Sequence, residues 1–255
     1  MSTVVFTVTS NGYKFMTWNL WLHCKRIGVP WQLLIVCLDK ESHRFFQTIA
    51  NIPSVLLPSV DLQLRGDTTK VSSYGSGDFN RVTREKLSVY RWMLEKKEFT
   101  RYLYLDSDIV LFKDPVPYLE TILSPENYLW FQCDEHTEGD YTCRNYQGGC
   151  TNICTGVIAF YNDETTREKL LSMVGFNDTL WKTCNNDQEY IQKTVPLYSV
   201  PYKTLNRSLF PNGLFLGKSH WKTLEDKILL HFNFIVGGSN KQRIIKSNGF
   251  WLVPY

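Results

Sequence analysis

The chain has 255 residues, 43% of them apolar and 15% aromatic, with a formal net charge of +3 and no biased tract. That length permits a sizeable core in one large domain or two small ones, and with this composition disorder is not the expectation. The small positive charge does not gather into a basic arm, so nucleic acid is not an expected partner.

The opening residues, MSTVVFTVTSNGY, lack a charged segment followed by a long apolar stretch, so no secretion signal is expected. No run approaches the roughly eighteen apolar residues that a spanning helix needs. A soluble or cytoplasmic protein without a membrane span is the expectation. Residues 4–10 (VVFTVTS) are a short β-branched run ending in Thr-Ser-Asn-Gly, which predicts a strand and a turn. Residues 13–27 place Met16, Leu20 and Cys24 four apart, with Gly28 as the stop, which predicts a helix. Residues 32–39 (QLLIVCLD) predict a second buried strand. Strand, helix, strand is a βαβ unit, hence a parallel sheet with a right-handed crossover.

Residues 83–97 predict an amphipathic helix feeding the YLYL strand at 102–105. Residues 128–134 and 156–163 are further strands, 164–175 and 187–194 are helical, and 229–234 (LLHFNF) is strand-like. Residues 135–152, polar, Gly-rich and Cys-containing, predict a functional loop. No repeat or break in composition divides the chain, so one α/β domain is expected. Seven cysteines (24, 37, 133, 143, 150, 154 and 184) predict free thiols in a reducing compartment. Cys143, Cys150 and Cys154 could hold zinc, but the C-x-x-C spacing and a fourth ligand are missing. The glycosylation patterns at Asn177 and Asn206 mean nothing without secretion.

In open α/β sheets, ligands gather at the carboxyl ends of strands. Thr9, Ser10, Asn11, Asp39, Asp106, Asp108 and Asp134 all fall at such ends. The stretch YLYLDSDIVLFKDP (102–115) sets two aspartates inside an apolar run, where an unpaired carboxylate costs several kcal/mol. A divalent cation is the obvious partner. Side chains at i and i+2 of an extended segment share a face, so Asp106 and Asp108 can converge on one ion. Hard carboxylate oxygens suit Mg²⁺ or Mn²⁺, which substrate phosphates commonly complete. A solvated turn after the strand is the alternative, and the apolar residues on both sides argue against it.

This segment resembles the metal-binding segment of GT-A glycosyltransferases, above all the nucleotide-diphospho-sugar transferase family of plant xylosyl- and arabinosyltransferases, and more distantly the glycogenin-like family. Further pieces follow in that family's order over residues 4–251. A helix carrying Arg84 and Lys86 precedes the aspartates. CTGVIAFYND (154–163) resembles the family's Asn-x-Gly strand, NDQEYI (186–191) its Asp-Gln segment and LFPNG (209–213) its Phe-Pro-x-Gly turn. HFNFIVGGSNKQRIIKSNGFW (231–251) resembles its closing His, Gly, Lys and Trp pattern.

The resemblance implies a mixed, mainly parallel GT-A sheet flanked by helices. Residues 1–115 would form a nucleotide-sugar-binding half and 116–255 an acceptor-side half. It implies His231 as the third protein ligand beside Asp106 and Asp108; a buried core histidine is the alternative. Lys241, in a glycine-containing loop, would reach the diphosphate, or stand solvated at the surface. Gly237 and Gly238 would let the backbone approach the phosphates, with Ser107 between the aspartates contributing to the same site. Thr7, Thr9, Ser10 and Asn11 would line a uracil and ribose pocket. Lys86 and Arg84 would support phosphates or ribose, with solvated helix charges as the alternative. Asp187 and Gln188 would serve the sugar and acceptor side, and Asp134 a sugar hydroxyl.

Cys154 stands where many relatives have Asn, which leaves sugar identity and stereochemistry open. The implied enzyme is a hexosyl- or pentosyltransferase. It would take a UDP-sugar with Mn²⁺ or Mg²⁺ and act on a glycan or glycoconjugate acceptor, with loop 135–152 and residues 205–220 shaping the acceptor side. A bacterial or viral enzyme, or an excised catalytic domain, would fit. A haloacid-dehalogenase-like phosphatase also ends a strand in Asp-x-Asp, but normally near its start and with a later Gly-Asp-x-x-x-Asp segment that is absent here. A non-catalytic nucleotide- or sugar-binding module is the other alternative.

Overall fold

The computed structural model describes residues 2–57, 76–134, 152–214, 224 and 226–254. The first strand, β1 (Thr3–Thr9), is buried continuously from Val4, as the apolar run of a central parallel strand should be. Helix α1 (Lys14–Ile27) ends at Gly28, whose φ of 68° lets its N–H close back on the Cys24 and Lys25 carbonyls. Strand β2 (Leu33–Cys37) then runs parallel to β1, with Val5 opposite Leu33 and Thr9 opposite Cys37. The expected βαβ unit is present.

Two unexpected elements follow. Helix α2 (Lys40–Thr48) starts because Asp39 accepts the Ser42 N–H, and β3 (Ser54–Leu56) extends the sheet. Helix α3 (Gly77–Lys96) begins ahead of the expected 83, because Ser76 accepts the Phe79 N–H and caps the extra turns. The chain continues through β4 (Arg101–Leu105), β5 (Ile109–Leu111), α4 (Val116–Ile122), β6 (Leu129–Cys133) and β7 (Ile153–Tyr161). It closes with α5 (Glu164–Val174), α6 (Asp178–Trp181), α7 (Asp187–Leu197), β8 (Lys203–Thr204), β9 (Leu229–His231) and α8 (Gly238–Ser247).

The main sheet has seven strands in the order β3-β2-β1-β4-β7-β6-β8. Every pairing is parallel except those of β7, which runs antiparallel to both β4 and β6. The fold is therefore a single-domain α/β arrangement around a mixed, mainly parallel sheet. Aromatic rings fill its core: Phe6 meets Tyr90 edge-on, and Tyr102 stacks on Phe160 at 4.8 Å.

Strands β5 and β9 form a separate antiparallel ribbon, with Ile109 opposite His231. The expected strand at 229–234 is thus shorter and lies outside the main sheet. A second apolar cluster of Val110, Leu230, Phe232 and Ile245 fastens α8 to this ribbon. Lys241 consequently sits on the first turn of α8 and not in a loop; Gly237, with φ of 87°, supplies the sharp entry into that helix.

Cys24, Cys37, Cys154 and Cys184 are free and buried, and Cys133 is buried, while Cys143 and Cys150 lie outside the described residues, as do 135–151 and 215–220 of the proposed acceptor loops. Among the described residues no helix is long and apolar enough to cross a membrane.

Candidate active site

The two aspartates converge for a different reason from the one expected. Residues 106–108 are not extended; they form a turn where the chain leaves the main sheet for the ribbon. The Asp106 N–H donates to the Gly156 carbonyl at 2.7 Å, and the Asp108 carbonyl accepts the Phe232 N–H at 3.1 Å. The turn is thereby pinned between β7 and the segment just after β9. That pairing brings His231 in from far along the sequence, with Nε2 3.2 Å from Asp108 Oδ1 and 3.7 Å from Asp106 Oδ2. One donor atom from each of the three residues lies within 4.8 Å of the others. Gly156 makes this closeness possible, since a Cβ there would sit 2.1 Å from His231 Cε1 and 2.8 Å from Asp106 Oδ2. Two hard carboxylate oxygens and one imidazole nitrogen are a donor set that suits a divalent cation.

Charge in the site is balanced by design of the fold. Burial would raise the Asp108 carboxyl, but the Lys241 ammonium and His231 outweigh it and hold the group well below the usual carboxylate range. Burial works to lower His231, yet Asp108 and its other neighbours push it up to about 10. Lys86 is buried between Asp106 at 3.1 Å and Asp187 at 3.0 Å, and these carboxylates override desolvation to hold it protonated. Burial raises Asp187, with Lys86 pulling it back. The Tyr104 hydroxyl donates to Asp106 Oδ1 and completes that carboxylate's surroundings.

These groups line one side of a cavity of about 410 Å³. Of the residues expected at the site, it gathers Thr9, Ser10, Lys86, Asp106, Ser107, Asp108, Asp134, Asp187, Gln188, His231, Gly237, Gly238 and Lys241. Thr17 ties Thr9 to Ser107, its hydroxyl 2.8 Å from one and 2.9 Å from the other. Asp187 and Gln188 occupy the first turn of α7, which Asn186 caps by accepting the Glu189 N–H. Asp134 accepts from the Asn233 amide at 2.7 Å and the Gln188 amide at 3.2 Å, one on each oxygen.

Three expected residues do not line the cavity. Thr7 shares a face with Thr9 but sits about 7 Å deeper along β1. Asn11 is turned toward Asp39 and Lys14, its N–H on Asp39 Oδ2 at 2.8 Å and its side-chain oxygen 2.6 Å from Lys14 Nζ. Arg84, 43% exposed at its side chain, faces Asp178 at 3.7 Å and lies over the Phe176 ring. It projects from a different face of α3 than Lys86, because positions two apart on a helix do not face the same way.

Sequence reasoning missed Tyr13, Phe79, Tyr104 and the stretch Phe234–Val236, all in the cavity wall. It also missed Gln132, whose Oε1 is 2.7 Å from His231 Nδ1. A glutamine inside the apolar YLWFQCD strand was the available signal.

The model of the nucleotide-diphospho-sugar transferase family matches residues 31–244, and the chain belongs to that family. No curated protein sequence matches it. Among solved structures, a glycosyltransferase involved in glycosylating the major capsid of the virus PBCV-1 aligns over 98% of this chain and 99% of its own, at 13% identity and a TM-score of 0.55. The galactosyltransferase LgtC, solved with donor and acceptor sugar analogues, aligns over 99% and 98%, at 15% identity and a TM-score of 0.55. Mouse xyloside xylosyltransferase 1 aligns over 91% and 98%, at 10% identity and a TM-score of 0.55. At such identities these structures establish the GT-A glycosyltransferase fold, and the family match establishes the chemistry as sugar transfer from a nucleotide-diphospho-sugar.

Proposed function

We propose that this nucleotide-diphospho-sugar transferase uses a UDP-sugar together with Mn²⁺ or Mg²⁺, and delivers the sugar to a hydroxyl of a glycan or glycoconjugate. The observation that carries this reading is the convergence of Asp106, Asp108, His231 and Lys241 on one wall of a cavity whose other walls hold Thr9, Ser10, Asp187 and Gln188.

Asp106, Asp108 and the Nε2 of His231 would hold the ion, which when bound neutralises charge developing on the departing diphosphate. Lys241, at the start of α8 and beside the bare backbone of Gly237 and Gly238, brings an ammonium to the same phosphates. Thr9 and Ser10 receive ribose and base, backed by Ser107 through Thr17; Thr7 and Asn11 support that wall from behind. Lys86 orients Asp106 and Asp187 toward the cavity from opposite sides. Asp134 and Gln188, bonded to each other, present oxygen and amide groups to the sugar hydroxyls. In this reading residues 1–115 serve mainly the donor, and 116–255 serve the acceptor and close the site. The fold is shared with a galactosyltransferase and a xylosyltransferase, so both hexose and pentose transfer are compatible with it.

A thermal-shift panel of UDP, GDP, CDP and their sugars, each with Mn²⁺ or EDTA, tests the proposal. Mass action stabilises the native state by about 2.7 kcal/mol at a hundredfold excess over Kd, so the true nucleotide raises the midpoint visibly. The expected result is a rise with UDP species that EDTA removes. A rise confined to another base, or one indifferent to EDTA, would overturn the base or metal assignment respectively.

A further inference from the structure

Gln132 is completely buried in β6. Up to Phe131, β6 follows a regular antiparallel register with β7, Phe131 facing Ile158; the next residue, Gln132, faces Cys154. The bulge leaves residues 155–157 of β7 without partners in β6, and such irregularities re-aim a side chain. Here the side chain is aimed at His231.

A buried amide is costly unless both its halves are bonded, and those of Gln132 are. Its nitrogen donates to the Phe210 carbonyl at 3.0 Å and the Pro211 carbonyl at 3.1 Å, which uses both N–H groups. Its oxygen is 2.7 Å from His231 Nδ1. The amide cannot be turned over, because its oxygen would then face two carbonyl oxygens. The Pro211 carbonyl also accepts the His231 backbone N–H at 3.2 Å, so amide and imidazole hang from one piece of chain. A fixed acceptor at Nδ1 requires a proton there. The lone pair of the neutral ring is therefore at Nε2, the nitrogen facing Asp106 and Asp108. The Cys154 sulfur, 3.7 Å from Nδ1, is a weaker acceptor beside the same proton.

We infer that Gln132 is a positioning residue of the metal site, selecting the His231 tautomer and ring angle that present Nε2 to the ion. This rests on the metal site proposed above.

The test is Mn²⁺ affinity of the full chain, followed by electron paramagnetic resonance. Gln132→Met should weaken Mn²⁺ binding about ten- to hundredfold, the range of lost outer-sphere partners of ligating histidines. Gln132→Glu, which keeps an acceptor for the Nδ1 proton, should stay within a few fold of the parent. In a His231→Gln background, Gln132→Met should add no further loss. Parent-like affinity of Gln132→Met, or an undiminished loss in the His231→Gln background, overturns the inference and leaves the metal site standing. An unsubstituted chain that binds no Mn²⁺ overturns both. Should Gln132→Met not fold, the ¹⁵N shifts of the His231 ring in the Mg²⁺-loaded parent decide: a protonated Nδ1 upholds the inference, a protonated Nε2 sinks it.

Discussion

Replacing Gly156 by alanine is the sharpest test of how the site is assembled. Gly156 faces the proposed metal ligands from β7, and the added Cβ would lie 2.1 Å from His231 Cε1 and 2.8 Å from both His231 Nε2 and Asp106 Oδ2. Ordinary carbon contacts begin near 3.5 Å, so the ring must retreat by about 1 Å. It has little freedom to do so, being 1% exposed and tethered through Nδ1 to Gln132 at 2.7 Å. Asp106 is equally held, since its own N–H is bonded to the Gly156 carbonyl. Ligand positions in a metal site tolerate shifts of about 0.2 Å, several times less than the displacement required. Overpacking of this kind costs about 1–3 kcal/mol, which for a domain of this size lowers the melting midpoint by about 5 °C. Gly156→Ala should therefore fold with a lowered midpoint and lose at least about tenfold in Mn²⁺ affinity, read by calorimetric titration. A folded Gly156→Ala chain with parent affinity for Mn²⁺ would show that the site is not built around this close approach.

Asp108→Asn keeps the shape of the turn but removes the carboxylate that pairs Lys241 and His231; turnover should fall by at least about a hundredfold, while a binding module would lose only affinity. Parent-like turnover would dismiss the proposed role. Lys86→Met leaves the Asp106 and Asp187 carboxylates facing each other without their cation, and urea unfolding should report a loss of about 3–5 kcal/mol. A loss below about 1 kcal/mol would mean the pair is effectively solvated. His23, buried under the C-terminal segment, has Nε2 2.8 Å from the Phe250 carbonyl and Nδ1 3.2 Å from the Leu111 carbonyl and 3.0 Å from the Arg26 guanidinium, and burial holds its pKa down at about 4. The folded protein thus refuses a proton that the unfolded chain accepts below about pH 6.5, so stability falls as pH drops from 6.5 toward 4, by about 3 kcal/mol. His23→Gln should flatten that part of the urea-midpoint profile; an unchanged slope would remove His23 from the account.

The βαβ start was legible from residue spacing alone, because apolar residues four apart between β-branched runs have few other packings. The sequence also marked Asp106 and Asp108, because a carboxylate in an apolar run breaks the burial rule and so advertises a partner. Family resemblance brought His231, Lys241, Asp187 and Gln188 to the same cavity. What it could not separate was Lys86 from Arg84, two apart on one helix: only the packing of α3 turns Lys86 inward between Asp106 and Asp187 and leaves Arg84 over Phe176. Nor could it tell Thr9 from Thr7, since depth along β1 is decided by where the sheet ends. The true cause of the aspartates' convergence, a turn between two sheets, was likewise hidden, because β5 pairs with a strand that arrives only at 229–231. Gln132 lies furthest from any local signal. Its meaning depends on a bulge, on two carbonyls at 210 and 211, and on an imidazole 99 residues away. Side-chain periodicity is written locally in a chain, whereas the direction of a buried hydrogen bond is settled only once distant backbone groups have been brought together and must all be satisfied.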